Sequence, residues 1–222
     1  MFKKEKFLNF IINNGVVGFF DGAITLKSGR KSHWYINWRT ISNNVYTLNA
    51  LVDYVTLFIT DKELNYSRFC IYGVPEGATK VGLLTHYKMA MNDMGGNKHI
   101  SMGRGKSKEH GDLKDKFFIG EPKGNVVVIE DVTTTGGSLI KELNKLEELP
   151  GCNVIACIGL TNRMEKNDEG KSVKDLIMDD FGIPYYAMST AHDLLPKLDI
   201  PENVKEEIVK EFDEYGVKPI EL

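Results

Sequence analysis

The stretch Asn125-Val-Val-Val-Ile-Glu-Asp-Val-Thr-Thr-Thr-Gly-Gly-Ser138 decides how this chain is read. Val126 to Ile129 form a short, continuous β-branched run, the pattern of a strand covered on both faces in a parallel sheet. Glu130 and Asp131 then fall at the carboxyl edge of that sheet, where open α/β folds bind their ligands. After Val132, the residues Thr133, Thr134, Thr135, Gly136, Gly137 and Ser138 supply hydroxyls and glycine positions at which successive backbone N–H groups converge on an anion. Leu139, Ile140, Leu143 and Leu146 recur at helical spacing, so the cradle opens a helix and gains its positive end. The segment has neither the lysine-bearing P-loop pattern nor the three-glycine dinucleotide pattern. Two acids directly before a phosphate cradle repel a bare phosphate unless they face something else, such as sugar hydroxyls or a metal-bound pyrophosphate. A phosphorylated ribose fits both halves, and an ordinary strand, turn and helix with a surface acidic pair is the plain structural alternative.

Apolar segments at 69–74, 126–131, 153–161 and 183–188 read as further strands, with helical patterns between them, clearest over 47–60. The alternation predicts an α/β fold with a mainly parallel central sheet flanked by helices. A length of 222 residues suits one domain, with residues 1–40 forming a small N-terminal hood and the Gly/Lys-rich stretch 98–116 a long mobile loop. A formal charge of −3 gives no global attraction to nucleic acid or to an anionic membrane, and no apolar run approaches a membrane span. Cys70, Cys152 and Cys157 lie in apolar runs without metal-ligand spacing, which predicts buried free thiols and a reducing, cytoplasmic setting. Residues 199–222 read as an acidic amphipathic surface helix.

Four further constellations bear on chemistry. Met102 to Gly111 places Arg104, Lys106, Lys108 and His110 between glycines, a loop able to close over a polyanion and exclude water, or else a solvated basic surface. Thr25 to Asn37 reads as a turn between strands, in which Lys27 and Arg30 are exposed hairpin charges by spacing alone. Phe69 to Gly77 is a strand ending in a Gly/Pro turn whose N–H groups could meet pyrophosphate, with Pro75 and Glu76 at its tip. Gly159 to Glu165 is a strand end followed by Arg163, whose two-pronged guanidinium suits a planar carboxylate or is simply exposed. His33, His86, His99 and His192 show no partner in the sequence and are assigned to packing or surface.

The acid pair and Thr/Gly loop resemble the signature of the type I phosphoribosyltransferases. Leu26-Lys27-Ser28-Gly29-Arg30, the 104–111 loop and Leu160-Thr-Asn-Arg-Met-Glu165 resemble the corresponding segments of orotate phosphoribosyltransferases, in the same order across most of residues 20–195. The resemblance implies transfer of 5-phosphoribose from phosphoribosyl pyrophosphate to orotate, with Mg²⁺ held mainly by substrate oxygens. It implies that Glu130 and Asp131 hold the ribose hydroxyls, with Asp131 as proton acceptor. Val132 to Ser138 would hold the 5-phosphate, and Pro75 and Glu76 the pyrophosphate. Lys27, Tyr35, Ile36, Thr134 and Arg163 would border orotate. Lys27 would also sit over the reacting groups as a catalytic residue, and Arg104, Lys106, Lys108 and His110 would act catalytically across a homodimer. Three positions depart from the pattern: Gly105 and Glu76 stand where the family has lysines, and Asn162 where it has aspartate. A type I enzyme for a purine or another base is the nearer alternative, and a non-catalytic phosphoribosyl pyrophosphate sensor the more distant one.

Overall fold

The computed structural model describes residues 1–64 and 68–222, apart from the side chains of residues 113 and 114. Helix α1 (Lys4–Asn13) leads into an antiparallel ribbon of β1 (Val17–Thr25) and β2 (Lys31–Ile36), as the alternation around Thr25 to Asn37 predicts. Short α2 (Trp38–Ile41) and long α3 (Val45–Asp61) follow, each started by an asparagine, Asn37 or Asn44, whose side chain accepts the helix's orphan N–H groups. The α/β core then runs β3 (Phe69–Gly73), α4 (Thr79–Met91), α5 (Leu113–Phe117), β4 (Gly124–Thr133), α6 (Gly137–Glu147), β5 (Cys152–Asn162), α7 (Val173–Phe181) and β6 (Tyr185–Thr190). Short α8 (Ala191–Leu194) and amphipathic α9 (Glu202–Tyr215) complete the chain.

Strands β3 to β6 form one parallel sheet in chain order. Its strands are buried on both faces, as the unbroken apolar runs require. Ile71, Val127, Ile129 and Ile158 meet the ribbon-side helices α1, α3, α4 and α9, while Tyr72, Val126, Val128 and Cys157 meet Leu139, Leu143 and Leu146 of α6 and Val173 and Ile177 of α7. Beyond α4 the chain returns along the outer edge of β3, where Asn97 N–H donates to Phe69 O at 2.9 Å and Ser101 Oγ to Ile71 O at 3.3 Å. The chain therefore leaves β3 toward one side of the sheet and β4 toward the other, and the divergence opens a crevice at their carboxyl ends.

Three expectations shift. Strand β4 continues two residues past Asp131, so the acids lie within the strand. Strand β6 begins at Tyr185, because Gly182 closes α7 in the left-handed region and Pro184 has no N–H for the ladder. Cys152 is half-buried, whereas Cys70 and Cys157 are buried.

Helix α4 lies unusually close on β3 because glycines face each other: a Cβ on Gly82 would stand 2.5 Å from Gly73 N, and one on Gly73 would stand 2.1 Å from Ala78 O. The turn carrying Pro75 to Gly77 hangs from this contact. Gly82→Ala should destabilise the protein by about 1–3 kcal/mol through overpacking, although alanine would raise helix propensity by about 1 kcal/mol. Chemical denaturation measures the difference, and an unchanged or raised midpoint would refute the close-packing account.

Candidate active site

The crevice is a cleft of about 460 Å³ lined by Lys27, Tyr35, Ile36, Pro75, Glu76, Gly77, Glu130 to Ser138 and Arg163, with Arg39, Gly105, Lys141, Glu142 and Lys145 completing its wall. Glu130 is 6% exposed and its Oε2 has no hydrogen-bond partner among the described residues. Burial pushes its carboxyl well above the ordinary glutamate value of 4.5, and the neighbouring Asp131 charge pushes it further, with Lys27 opposing. Asp131 is half-buried and lies directly against Gly77, where a Cβ would come within 2.0 Å of Oδ2. Glycine at 77 leaves room for the Asp131 carboxylate beside the Pro75–Gly77 turn.

Gly136 caps α6 at φ +88°, with the Val173 side chain where a Cβ would go. Its conformation turns the chain so that the first N–H groups of α6, which have no intrahelical acceptor, border the cleft. Ser138 Oγ accepts from Lys27 Nζ at 2.9 Å. Thr133 differs from its neighbours: its buried hydroxyl pairs with Tyr185 OH at 2.5 Å and its carbonyl accepts from Arg163 N–H, so the cradle's available hydroxyls come from Thr134, Thr135 and Ser138.

At the opposite wall Arg163 is 2% exposed. Its guanidinium lies over the Trp34 ring with 3.8 Å to the centroid, and donates to Glu165 Oε1 at 2.7 Å, Ser32 Oγ at 2.8 Å and Trp34 O at 3.2 Å. Three of its five N–H donors are thus committed to protein. Arg30, read from spacing as an exposed hairpin charge, instead pairs with Glu165 at 3.1 Å and lies over Tyr215 at 4.5 Å. Tyr35 is exposed and Ile36 is buried at the cleft side of the ribbon. Lys80 donates to Ser42 O and Asn43 Oδ1, away from the turn at Pro75.

Among Arg104, Lys106, Lys108 and His110, no side chain lines this cleft; of their loop only Gly105 does. The loop has a firm stem and an exposed tip. Met102 N–H donates to Gly120 O at 3.2 Å, Ile119 N–H donates to Met102 O at 2.7 Å, Gly103 forms an antiparallel bridge with Phe118, and Arg104 N–H donates to Phe117 O at 2.8 Å. Lys106, Lys108 and His110 are exposed. The two sites that depart from the lysine pattern touch: a Cβ on Gly105 would stand 2.3 Å from Glu76 Oε1.

Sequence reading missed Arg39, Lys141, Glu142 and Lys145 on the cleft wall. Glu142 is buried, accepts from Tyr72 OH at 2.9 Å and pairs with Lys145. The helical spacing of α6 marked only its leucines, and a carboxylate on that apolar side had no visible partner. Three histidines find partners that the sequence does not show: His33 pairs with Glu211 at 2.9 Å, His86 Nδ1 accepts from Ile71 N–H, and His192 bonds Pro219 O.

A raised Glu130 pKa means the fold holds a proton that the unfolded chain releases. Its contribution to stability is full below the ordinary value and is lost as pH rises through the raised one. Glu130→Gln, which cannot titrate, should therefore gain stability relative to the parent as pH rises from about 5 to 8. Denaturation midpoints across that range that stay parallel would refute the assignment.

The scan against family models gave no match. The chain is 30% identical over 162 residues to the orotate phosphoribosyltransferase of Pyrococcus horikoshii, covering 73% of this chain and 81% of that protein. It is 27% identical to the orotate phosphoribosyltransferase of Lachnoclostridium phytofermentans, with 97% of this chain and 98% of that protein aligned. The crystal structure of orotate phosphoribosyltransferase from Francisella tularensis superposes with a TM-score of 0.68 at 22% identity, over 95% of this chain and 99% of that one, which shows a shared fold. A crevice with an acid pair, a threonine–glycine cradle and a lysine-bearing ribbon thus sits in a chain that belongs to the orotate phosphoribosyltransferase family.

Proposed function

We infer that the chain transfers 5-phosphoribose from phosphoribosyl pyrophosphate to N1 of orotate, giving orotidine 5′-phosphate and pyrophosphate in the synthesis of UMP. The observation that carries this reading is the 2.9 Å bond from Lys27 on the ribbon to Ser138 on the cradle, which puts the two halves of the cleft within one side chain of each other.

Orotate carries its charge on the exocyclic carboxylate and a proton on N1; as the N1–C1 bond forms and the bond from C1 to pyrophosphate breaks, that proton passes to Asp131, while positioning and charge stabilisation lower the barrier. The N–H groups opening α6 take the 5-phosphate together with Thr134, Thr135 and Ser138. A ribose hydroxyl donates to the unpartnered Glu130 Oε2, and Asp131 takes the adjoining hydroxyl and serves as proton acceptor. As C1 becomes cationic, the two carboxyls lie on its ribose side. Arg163 offers its two uncommitted N–H donors to the base, bordered by Thr134 and by backbone at Tyr35 and Ile36. Pro75 and Glu76 form the pyrophosphate turn, and Lys27 faces the reacting groups.

Mg²⁺ would neutralise pyrophosphate charge when bound. The residues fit an ion carried on substrate: the acid pair borders the cleft beside the Pro75–Gly77 turn, where it could meet an ion held by pyrophosphate and ribose oxygens. Because Arg104, Lys106, Lys108 and His110 stand outside the cleft of their own chain, we assign them to the neighbouring active site of a homodimer. Their loop, within residues 98–116, is the moving part of a single domain whose first 40 residues contribute the hood. No helix among the described residues is long and apolar enough to cross a membrane, and a cytoplasmic setting suits the free thiols.

Incubation with phosphoribosyl pyrophosphate, Mg²⁺ and orotate should remove orotate's near-ultraviolet absorbance. Consumption of a purine base in place of orotate would overturn the reading. Lys108→Ala should lower turnover on the order of 10²-fold while leaving orotidine 5′-phosphate binding nearly intact. Co-expression of Lys108→Ala with Asp131→Asn chains should recover activity that neither variant has alone. Failure to recover it in verified mixed dimers would refute loop sharing.

A further inference from the structure

Arg39 occupies the cleft wall beside Tyr35 and Ile36, yet no sequence motif points to it. Its side chain is exposed and has no ion pair or hydrogen bond among the described residues. The backbone beneath is fixed. Asn37 Oδ1 accepts from Arg39 N–H at 3.2 Å, and neighbouring Trp38 is 1% exposed, stacks on Phe7 with centroids 5.8 Å apart, and donates from Nε1 to Thr161 Oγ1 at 3.2 Å. Thr161 precedes Arg163 by two residues on β5 and its extension. The indole therefore anchors α2 to the same end of the sheet that carries Arg163, and holds Arg39 on the rim above it.

Charge separates the two arginines. Arg163 is matched at 2.7 Å by Glu165, and Arg30 on the same carboxylate at 3.1 Å is met in turn by Asp168 at 3.5 Å, so an incoming anion meets two guanidiniums already matched by two carboxylates. Lys27 is drawn to the cradle by Ser138, and Lys145 is matched by Glu142. Lys141 is exposed, but it stands on α6 at the phosphate end. Arg39 is left as the uncompensated guanidinium at the base end, with its planar fork free for a carboxylate.

We propose that Arg39 is a specificity residue that binds the carboxylate of the pyrimidine base, supplying the net positive charge that the Arg163–Glu165 pair lacks. The assignment rests on the transfer reaction inferred above. Its chemistry is recognition of an exocyclic carboxylate, and it separates orotate from a base such as uracil that has none.

Steady-state kinetics on the full-length protein with Arg39→Ala and Arg39→Lys tests it. Arg39→Ala should raise the KM for orotate about tenfold, the size of one charge-assisted hydrogen bond. It should leave kcat and the KM for phosphoribosyl pyrophosphate within about twofold, well below the effect of one such bond. Arg39→Lys should recover part of the loss, since it keeps the charge without the fork, and any turnover of uracil should be unaffected by either change. A rise confined to the KM for phosphoribosyl pyrophosphate would overturn the proposal and place Arg39 on the phosphate anions. Equal losses for orotate and uracil, or no change in either KM, would overturn it too. A parent protein that consumes no orotate would sink the transfer reading itself, whereas an active parent with an unchanged Arg39→Ala variant would sink this inference alone.

Discussion

A buried guanidinium organises this molecule. Arg163 gives up nearly all contact with water, a cost of several kcal/mol for an unpaired ion. It is offset by a carboxylate at 2.7 Å, a hydroxyl, a carbonyl and the face of Trp34. Ser32 and Trp34 belong to the ribbon, and Arg163 directly follows β5, so the cation rivets one to the other. Glu211 of α9 extends the rivet by accepting from Ser32 Oγ at 2.8 Å and from His33 N–H at 2.6 Å. Trp34 stacks on Phe212 of the same helix with centroids 6.3 Å apart. Without this cluster, a two-stranded ribbon is marginal in water and could not hold Lys27, Tyr35 and Ile36 against the sheet.

The opposite side of the cleft is set by close backbone approach. Gly73 and Gly82 bring α4 onto β3, Gly77 admits the Asp131 carboxylate, and Gly136 turns the chain into α6. Glu130 is held between these elements in a site that disfavours its charge, and such a destabilised group gains most from a ligand that satisfies it. The two walls differ in kind: one is fixed by side-chain hydrogen bonds, the other by the absence of side chains.

Much of this was legible in the chain. The apolar runs at 69–74, 126–131 and 153–161 became three adjacent strands of the parallel sheet because strands buried on both faces advertise themselves by composition. The acid pair and the threonine–glycine turn came together at the cleft because their placement depends on local order along one strand and one helix start. Arg163 was legible as a residue with family relatives, but its burial was not, since its partners Ser32 and Trp34 lie about 130 positions away. Arg39 and Glu142 escaped for the same reason: an arginine in a short helix and a glutamate in an amphipathic one carry no local mark of what they face. The contact between Gly105 and Glu76 joins two departures that looked independent along the chain, and only the fold shows them as a single adjustment of one corner.

The basic loop is built with its rigidity at the base. Gly103 lies where a Cβ would strike Tyr72 OH at 2.0 Å, Gly120 where one would strike Ile100 O at 2.5 Å, and the bonds among Met102, Gly103, Phe118 and Ile119 clamp the two ends together. Once the ends are fixed, the length of the tip becomes thermodynamically cheap to vary, at about 0.6 kcal/mol for each doubling. Insertions and deletions in the exposed tip can therefore accumulate over evolution with little effect on folding, and the reach of the cationic tip can change separately from the cleft.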